Sequence, residues 1–372
     1  MKIRCVLFAV ISSFTLHAQS DHSHRLGRVI EYPNIPGYTT LKTDLHQHTV
    51  FSDGHVWPDI RVKEALMDGI DAISLTEHLE YQPHKADIPH PDRNRSYDLA
   101  LEEAKDHNLI LIRGSEITRS MPPGHNNAVF VTDANKLLIK DSVEVFREAS
   151  RQGTFVFWNH PNWIAQRPDG LATLTPMHRM LIKEKLLHGI EVVNDKGYSD
   201  EALQIALDNN LTIMGTSDIH GLIDWEFVNG VAGHRPLTLV FTKDKTQEAI
   251  KEALMNRRTV AVFKNLLIGR DEFLIPLVKE SLVIKKASYI GKSSVLSVTI
   301  ENKTNSVFTL ANRSGYTFAT DHDVVMIKPG ADNIIEVRTK EKLTSVSLTF
   351  EVLNAVNAPN KHPSVKWEGK VE

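Results

Sequence analysis

Short apolar runs alternate with helical patterns from residue 41 to residue 215, and this alternation restricts the chain to a parallel α/β fold. The runs are Leu41 to Leu45, Ala72 to Leu75, Leu109 to Arg113, Ala128 to Val131, Phe155 to Trp158, Ile190 to Val193 and Thr212 to Gly215. Each is apolar enough to be covered on both faces, as strands of a parallel sheet are. Between them Pro58 opens a helix that Gly69 follows, Asp141 can cap the next with Gly153 after it, and Ser199 can cap a third. About seven strands alternating with helices predict a barrel. The pattern breaks once. Between the run leading into Glu116 and the one after His125 lies only TRSMPPG, too short for a crossover helix, so those two strands are expected to pair antiparallel.

A chain of 372 residues suits two units. The barrel is expected over residues 42–263, a connector over 264–283, and a small all-β sandwich over 284–372, where VLSVTIEN, NIIEVRTK and SVSLTFEVLN alternate apolar with polar residues. Residues 1–18 read as a secretory signal peptide, with Lys2 and Arg4 ahead of an apolar run that ends before a small-residue site at Ala18. The run falls short of the ~20 residues that span a bilayer. Residues 19–41 form an N-terminal extension, and the mature protein is expected in the periplasm or secreted, without stable membrane insertion. Cleavage removes Cys5, the one cysteine, and with it any disulfide or thiol nucleophile. The formal charge of −3 gives no general electrostatic grip on nucleic acid.

Histidine is the unusual residue, with 18 copies, and many of them gather where the strands end. The first strand runs into TDLHQHTVFSDG, which places His46 and His48 two apart on one side of an extended chain, with Asp53 in the following turn. TEH gives His78, GSEIT gives Glu116, NHP gives His160, and GTSDIH gives Asp218 and His220. The carboxyl ends of parallel barrel strands open on one face, so these residues converge there. His125 sits at the start of its strand and joins them only if that strand runs antiparallel. Six imidazoles and three carboxylates exceed what one catalytic zinc needs. They suit two or three ions of Zn, Mn or Fe, which imidazole and carboxylate serve alike. His22 and His24 read as tail, and His107, His178 and His188 as surface residues of helical stretches.

TDLHQHTVFSDG, TEH, GSEIT, HNNAVFV, NHP and GTSDIH, in this order, resemble the motifs of the PHP (polymerase and histidinol phosphatase) family over about residues 42 to 262. The resemblance implies a distorted (β/α)7 PHP barrel with a trinuclear site. One metal would take His46, His48, Glu116 and Asp218; a second would share Glu116 and add His125 and His160; a third would take Asp53, His78 and His220. Export and a trailing β-domain resemble bacterial phosphodiesterases of the family.

Such a site activates a hydroxide for attack on the phosphorus of a small phosphate ester and needs no protein nucleophile. Arg119 either neutralises a phosphate oxygen or is an ordinary loop cation. Tyr81, His84 and His90, in the loop after His78, either line the cleft or are loop residues. Trp158 and Trp163 flank His160, one expected to pack in the barrel and the other to face a substrate ring. Scarce cations near the candidate ligands, Arg119, Arg167 and Lys85, favour singly charged phosphodiesters. The competing readings are an exported phosphomonoesterase like histidinol phosphatase, a metal-dependent amide or ester hydrolase, and a non-catalytic binding protein.

Overall fold

The protein is represented by a computed structural model that describes residues 29–227 and 234–372. The expected signal peptide, His22 and His24 lie outside the described residues. Among the described residues no helix is long and apolar enough to cross a membrane.

The alternation read from the sequence is present. Strands β1 (Thr39–Gln47), β2 (Ala72–Leu75), β3 (Ile110–Ile117), β4 (Asn126–Val129), β5 (Phe155–Trp158) and β6 (Gly189–Asn194) are interleaved with helices α1 (Pro58–Asp68), α2 (Arg95–Ala104), α3 (Glu144–Arg151) and α4 (Pro176–Lys183). A two-residue strand β7 (Gly197–Tyr198), helix α5 (Asp200–Asp208) and strand β8 (Thr212–Thr216) complete the ring. The punctuation acts as expected. Pro58 begins α1, and Gly69 ends it in a left-handed conformation, its N–H turned back to the carbonyls of Ala65 and Leu66. Asp141 accepts from the backbone of Val143 and Glu144 ahead of α3, and Ser199 accepts from the N–H of Ala202 in α5.

Apart from the two-residue β7, which pairs antiparallel with β6, neighbouring ring strands run parallel except at β4, which is antiparallel to both β3 and β5. Glu116 faces Asn127 in that register, so the antiparallel exception is real and brings the start of β4 beside the end of β3. The ring is distorted at its seam between β8 and β1. At the carboxyl end the two chains join directly, with His48 N–H donating to Ile219 and Asp218 N–H to His46, both at 3.0 Å. Lower down they part. Past the short helix α6 (Ile223–Glu226), strand β9 (Leu237–Thr242) pairs antiparallel with β1, and the Thr238 hydroxyl bridges both the N–H and the carbonyl of Gly215 in β8. A Cβ at Gly215 would come within 2.9 Å of the Leu237 carbonyl oxygen, so the approach requires glycine.

Residues 264–283 are not a linker. Helix α7 (Gln247–Met255) leads to strand β10 (Thr259–Phe263), which turns into β11 (Leu266–Gly269), extending the barrel sheet, and helix α8 (Asp271–Ser281) follows. Runs this short, without a crossover helix between them, form a hairpin, and the sandwich starts at once behind α8. Strands β12 (Leu282–Tyr289), β13 (Val295–Asn302), β14 (Phe308–Asn312), β15 (Thr317–Phe318), β16 (Val324–Ile327), β17 (Asn333–Arg338), β18 (Ser345–Val352) and β20 (Ser364–Lys370) make two four-stranded antiparallel sheets, β12-β13-β17-β15 and β16-β14-β18-β20. Leu296, Val298 and Ile300 face Leu348, Phe350 and Val352 across one core, the alternation seen in the sequence. The remaining strand, β19 (Ala355–Val356), leaves the sandwich and pairs parallel with β11.

The two units therefore share structure. Phe273, Leu274, Leu277 and Val278 of α8 belong to one buried cluster with Leu282, Phe308 and Phe350. The N-terminal extension is also engaged, with Ile30 and Ile35 in that cluster and Tyr32 hydrogen-bonded to Ser306 at 2.7 Å. Truncation after Ser281 is expected to uncover this face, to lower the melting temperature of the barrel by more than about 5 °C and to promote aggregation. Thermal melts followed by light scattering check this; identical melting of the truncated and full chains would show the units to be independent.

Candidate metal centre

The convergence of the candidate ligands depends on a local irregularity. Along β1, Leu41 and Leu45 pack with Ala72, Ile112 and Met214 inside the barrel, whereas His46 and His48 meet Glu116, which lies on the same face of β3 as Ile112. Strict alternation would send His46 and His48 to the face opposite Leu45. Between Asp44 and Gln47 the register with β2 slips by one residue, and this bulge re-aims the histidines into the ring. The Ser-Asp-Gly turn then folds back on the same strand. A Cβ at Gly54 would lie 2.7 Å from the backbone of His48 and Thr49, so glycine lets Asp53 close over the site.

Glu116 occupies the centre. Its Oε2 lies 2.7 Å from His78 Nδ1, 3.6 Å from His48 Nε2 and 3.8 Å from His46 Nε2; its Oε1 lies 3.0 Å from His125 Nδ1 and 3.6 Å from His160 Nε2. Asp218 Oδ1 is 3.1 Å from Nε2 of both His46 and His48. Asp53 is 3.1 Å from His220 and 3.4 Å from His78. Donor atoms within 4.8 Å of one another form three groups: His46, His48 and Glu116; His78, Glu116 and His125; and His48, Asp53, His78 and His220. All nine residues singled out from the sequence are thus brought together. The grouping differs from the one the resemblance implies: His48 and His78 are each shared by two groups, and Asp218 and His160 stand outside all three, Asp218 beside His46 and His48 and His160 beside Glu116.

The donor set fits divalent cations. Glu116 Oε2, Asp53 Oδ1, His125 Nδ1 and His160 Nδ1 are buried and make no hydrogen bond, although imidazole nitrogens stand at ion-pair distance from both carboxylate oxygens. Close atoms that are not aligned as donor and acceptor suggest side chains aimed at a common centre rather than at each other.

Burial disfavours charge on all of these groups, and their neighbours overrule it for most. Burial would raise Glu116, but the charge of His78 and the close approach of His125, His160 and His46 hold it well below the usual carboxylate range. Asp218 and Asp53 are likewise depressed against burial, by His46 and His48 in one case and by His220 and His78 in the other. Against burial, Asp218 and Glu191 raise His46 well above its ordinary value, and Glu116 with Asp53 pushes His78 up to about 11. His48, buried and beside His220, falls to about 3 and is neutral at pH 7.

A second layer of residues orients the first, and the motifs did not reveal it. Glu191 in β6 accepts from His46 Nδ1 at 2.7 Å, which leaves Nε2 facing Glu116 and Asp218; it also takes the His160 N–H and the Thr216 hydroxyl. Asn159 donates to Glu116 Oε1 at 2.9 Å. Glu77 accepts from Thr49 and Ser52 beneath the Asp53 turn. Arg61, wholly buried on α1, donates to the carbonyls of His48, Ile219 and His220 and so clamps the ends of β1 and β8. A charged residue inside an apolar strand or on the inner face of a helix was the available signal for Glu191 and Arg61. His178 is not on the surface: it is buried, stacked on Trp158 at 4.0 Å, and contacts the Pro123 carbonyl in the turn before His125. His188, outside any helix, accepts from the Val156 N–H, and His107 is exposed in a turn.

A family model described as an Ig-like domain matches residues 282–368. A two-domain protein from Bacteroides vulgatus ATCC 8482, containing a predicted PHP-like metal-dependent phosphoesterase, is 43% identical, with a TM-score of 0.84 over 92% of this chain and 98% of that one. The chain belongs to the PHP-like metal-dependent phosphoesterases. It is a hydrolase acting on phosphoric esters, built as a PHP barrel with an Ig-like β-domain. The lesion-specific endonuclease EndoQ of Pyrococcus furiosus resembles it distantly, at 13% identity and a TM-score of 0.42 over 78% of this chain and 70% of that one. No curated protein sequence matches the chain.

Within this PHP barrel the expected substrate residues divide. Arg119 pairs with Glu80 at 2.8 Å and donates to the Ile139 carbonyl through the same nitrogen, while its Nε has no hydrogen-bond partner. His90 is buried against Gln82 and the Ile88 carbonyl and is a structural loop residue. His84 is half-buried, its Nε2 without a partner. Trp158 packs in the barrel core. Tyr81 and Trp163 are exposed and touch donor rings, Tyr81 at His78 and Trp163 at His125 and His160.

Two measurements follow from this geometry. The purified chain is expected to bind more than one equivalent of transition metal, and Glu116→Ala, which removes the two carboxylate oxygens that have five donor imidazoles within 4 Å, to lose more metal than any single histidine variant; elemental analysis checks both. In the metal-free site His46 and His78 carry protons at pH 7, since their pKa values are raised. Each proton must leave before its nitrogen accepts a cation, so metal binding releases protons and its affinity rises with pH. Calorimetric titration in buffers of different ionisation enthalpy reads this directly, and heats independent of buffer would contradict it.

Proposed function

We propose that the chain is an exported phosphodiesterase whose barrel holds up to three Zn, Mn or Fe ions through His46, His48, Asp53, His78, Glu116, His125, His160, Asp218 and His220. When bound, the metals supply Lewis acidity and an acidified water, the chemistry that phosphoester hydrolysis requires. The chain's own residues fix the geometry: Glu191 holds the His46 tautomer, Arg61 holds the ends of β1 and β8, and Asn159 orients Glu116.

The observation that carries the preference for diesters is the state of the nearby cations. A monoester dianion is best recognised by several cationic groups beyond the metals. Arg119 is paired with Glu80, Arg167 donates to the Thr173 carbonyl, and Lys85 is exposed in the loop after β2. A singly charged diester needs less compensation and brings a second alcohol that Tyr81 and Trp163 can contact. Export rests on residues 1–18, with their basic start, apolar run and small-residue site.

The test compares 4-nitrophenyl phosphate with methyl 4-nitrophenyl phosphate, which share a leaving group, on metal-loaded protein. The diester is expected to show the higher kcat/KM by about tenfold or more, and chelated protein to be inactive. A monoester preference would replace the diester reading with that of an exported phosphatase. Failure of the loaded protein to turn over either ester would overturn the hydrolytic reading.

A further inference from the structure

Four aromatic side chains are exposed among the described residues: Trp57 (44%), Tyr81 (52%), Trp163 (44%) and Trp225 (79%). All four follow a donor motif: Trp57 comes after Asp53, Tyr81 after His78, Trp163 after His160 and Trp225 after His220. None lies in the sandwich. Single exposed apolar residues scattered over a surface need no explanation, but exposed aromatics confined to the loops of one face mark a binding surface.

Two of the four are fixed against the centre itself. The Tyr81 ring meets His78 nearly edge-on, centroids 5.8 Å apart and planes at 72°. His78 lies 5.5 Å from His125, and Trp163 lies 5.6 Å from His125 and 5.1 Å from His160, the last contact at 73°. The row Tyr81, His78, His125, Trp163 thus has an aromatic side chain at each end of a pair of donor rings. Because the outer rings are about half exposed and steeply inclined to His78 and His160, those donors leave much of their faces open. A flat ring on an ester group held at the centre would stack there, whereas a methyl or short alkyl group would touch little of that area.

We propose that this face selects phosphodiesters carrying a planar ring, aryl or nucleobase, which Tyr81 and Trp163 hold by stacking. The inference rests on the phosphoesterase reading above. Recognition by stacking fits the charge of the site's surroundings as well: with Arg119 engaged by Glu80, the selectivity comes from ring faces rather than from added cations. The formal charge of −3 offers no general attraction for a nucleic acid polymer, so the ring belongs to a small diester. Tyr81 and Trp163 are specificity-determining residues in this account. They need not act on the reacting atoms.

Three diesters with one leaving group separate the possibilities: methyl 4-nitrophenyl phosphate, bis(4-nitrophenyl) phosphate and thymidine 5′-(4-nitrophenyl phosphate). Stacking of the group that stays behind acts in ground and transition states alike, so it lowers KM and leaves kcat similar. We expect KM to be about tenfold lower for at least one ring-bearing diester than for the methyl ester. Preference for the bis-aryl ester identifies an aryl substrate, and preference for the thymidine ester a nucleoside. Trp163→Ala and Tyr81→Ala are each expected to raise that KM more than the methyl ester's, and Trp163→Phe to restore most of the difference. Metal content is measured for every variant, so that disturbance of His125 or His160 is seen separately. Equal KM values across the three diesters, or a KM difference that survives both alanine variants with metals retained, would overturn the inference while leaving the hydrolase reading intact. Absence of turnover of all three by metal-loaded protein would instead count against that reading.

Discussion

A fully buried carboxylate, Glu116, has five imidazoles within 4 Å, and the rest of the barrel is arranged to keep them there. An isolated ionised carboxylate in such a place would be strongly destabilised and would take up a proton. Here His78 carries the compensating charge, His125, His160 and His46 stand close by, and Asn159 donates a hydrogen bond. These rings come from four separate strand ends, β1, β2, β4 and β5, so the carboxylate holds its charge only if all of those ends meet. The antiparallel turn before β4 serves the same requirement, since a parallel strand would carry His125 to the opposite end of the ring.

Holding nine polar side chains at one point requires a frame that does not give way when ions enter or leave. The donors are therefore backed by groups with no free valence. Glu191 ties His46 to the backbone of His160, so residues expected to serve different metals move together. Asp44 accepts from Ser217 and Arg235, joining the start of the donor segment in β1 to the residue before Asp218. His160 and Asp218 have positive φ values, 28° and 50°, conformations that cost energy for residues with a Cβ and persist only where surrounding contacts enforce them. Site geometry is thus set by the scaffold before any cation arrives.

Much of this was legible in the sequence because periodicity and punctuation are local. The runs from Leu41 to Gly215, the stop at Gly69, the cap at Ser199 and the missing crossover before His125 each have a short-range cause, and the nine donors follow from their places at strand ends. The slip in β1 between Asp44 and Gln47 has no such signature, and neither does the comparable slip in β6 between Glu191 and Val193. Both are decided by what the neighbouring strand presents. For the same reason Glu191 and Arg61 escaped attention: their partners are backbone and side-chain atoms far away in sequence. Arg119 shows what proximity in sequence leaves out, since the Glu80 it pairs with lies far from it along the chain. The supposed connector failed because β11 follows β10 without a crossover helix and so falls outside the alternation, and its place in the sheet is secured partly by residues 355 and 356.

The pairing of β11 with β19 has a consequence for how the molecule is made. A sheet that begins at Thr39 finds its last strand at Ala355–Val356, beyond seven strands of the sandwich. As the polypeptide is synthesised from its N-terminus, the edge of β11 stays open, with unpaired backbone groups that invite foreign strands, until most of the sandwich has emerged. The β-domain thus covers the open edge of the catalytic unit's sheet as a late-arriving edge guard.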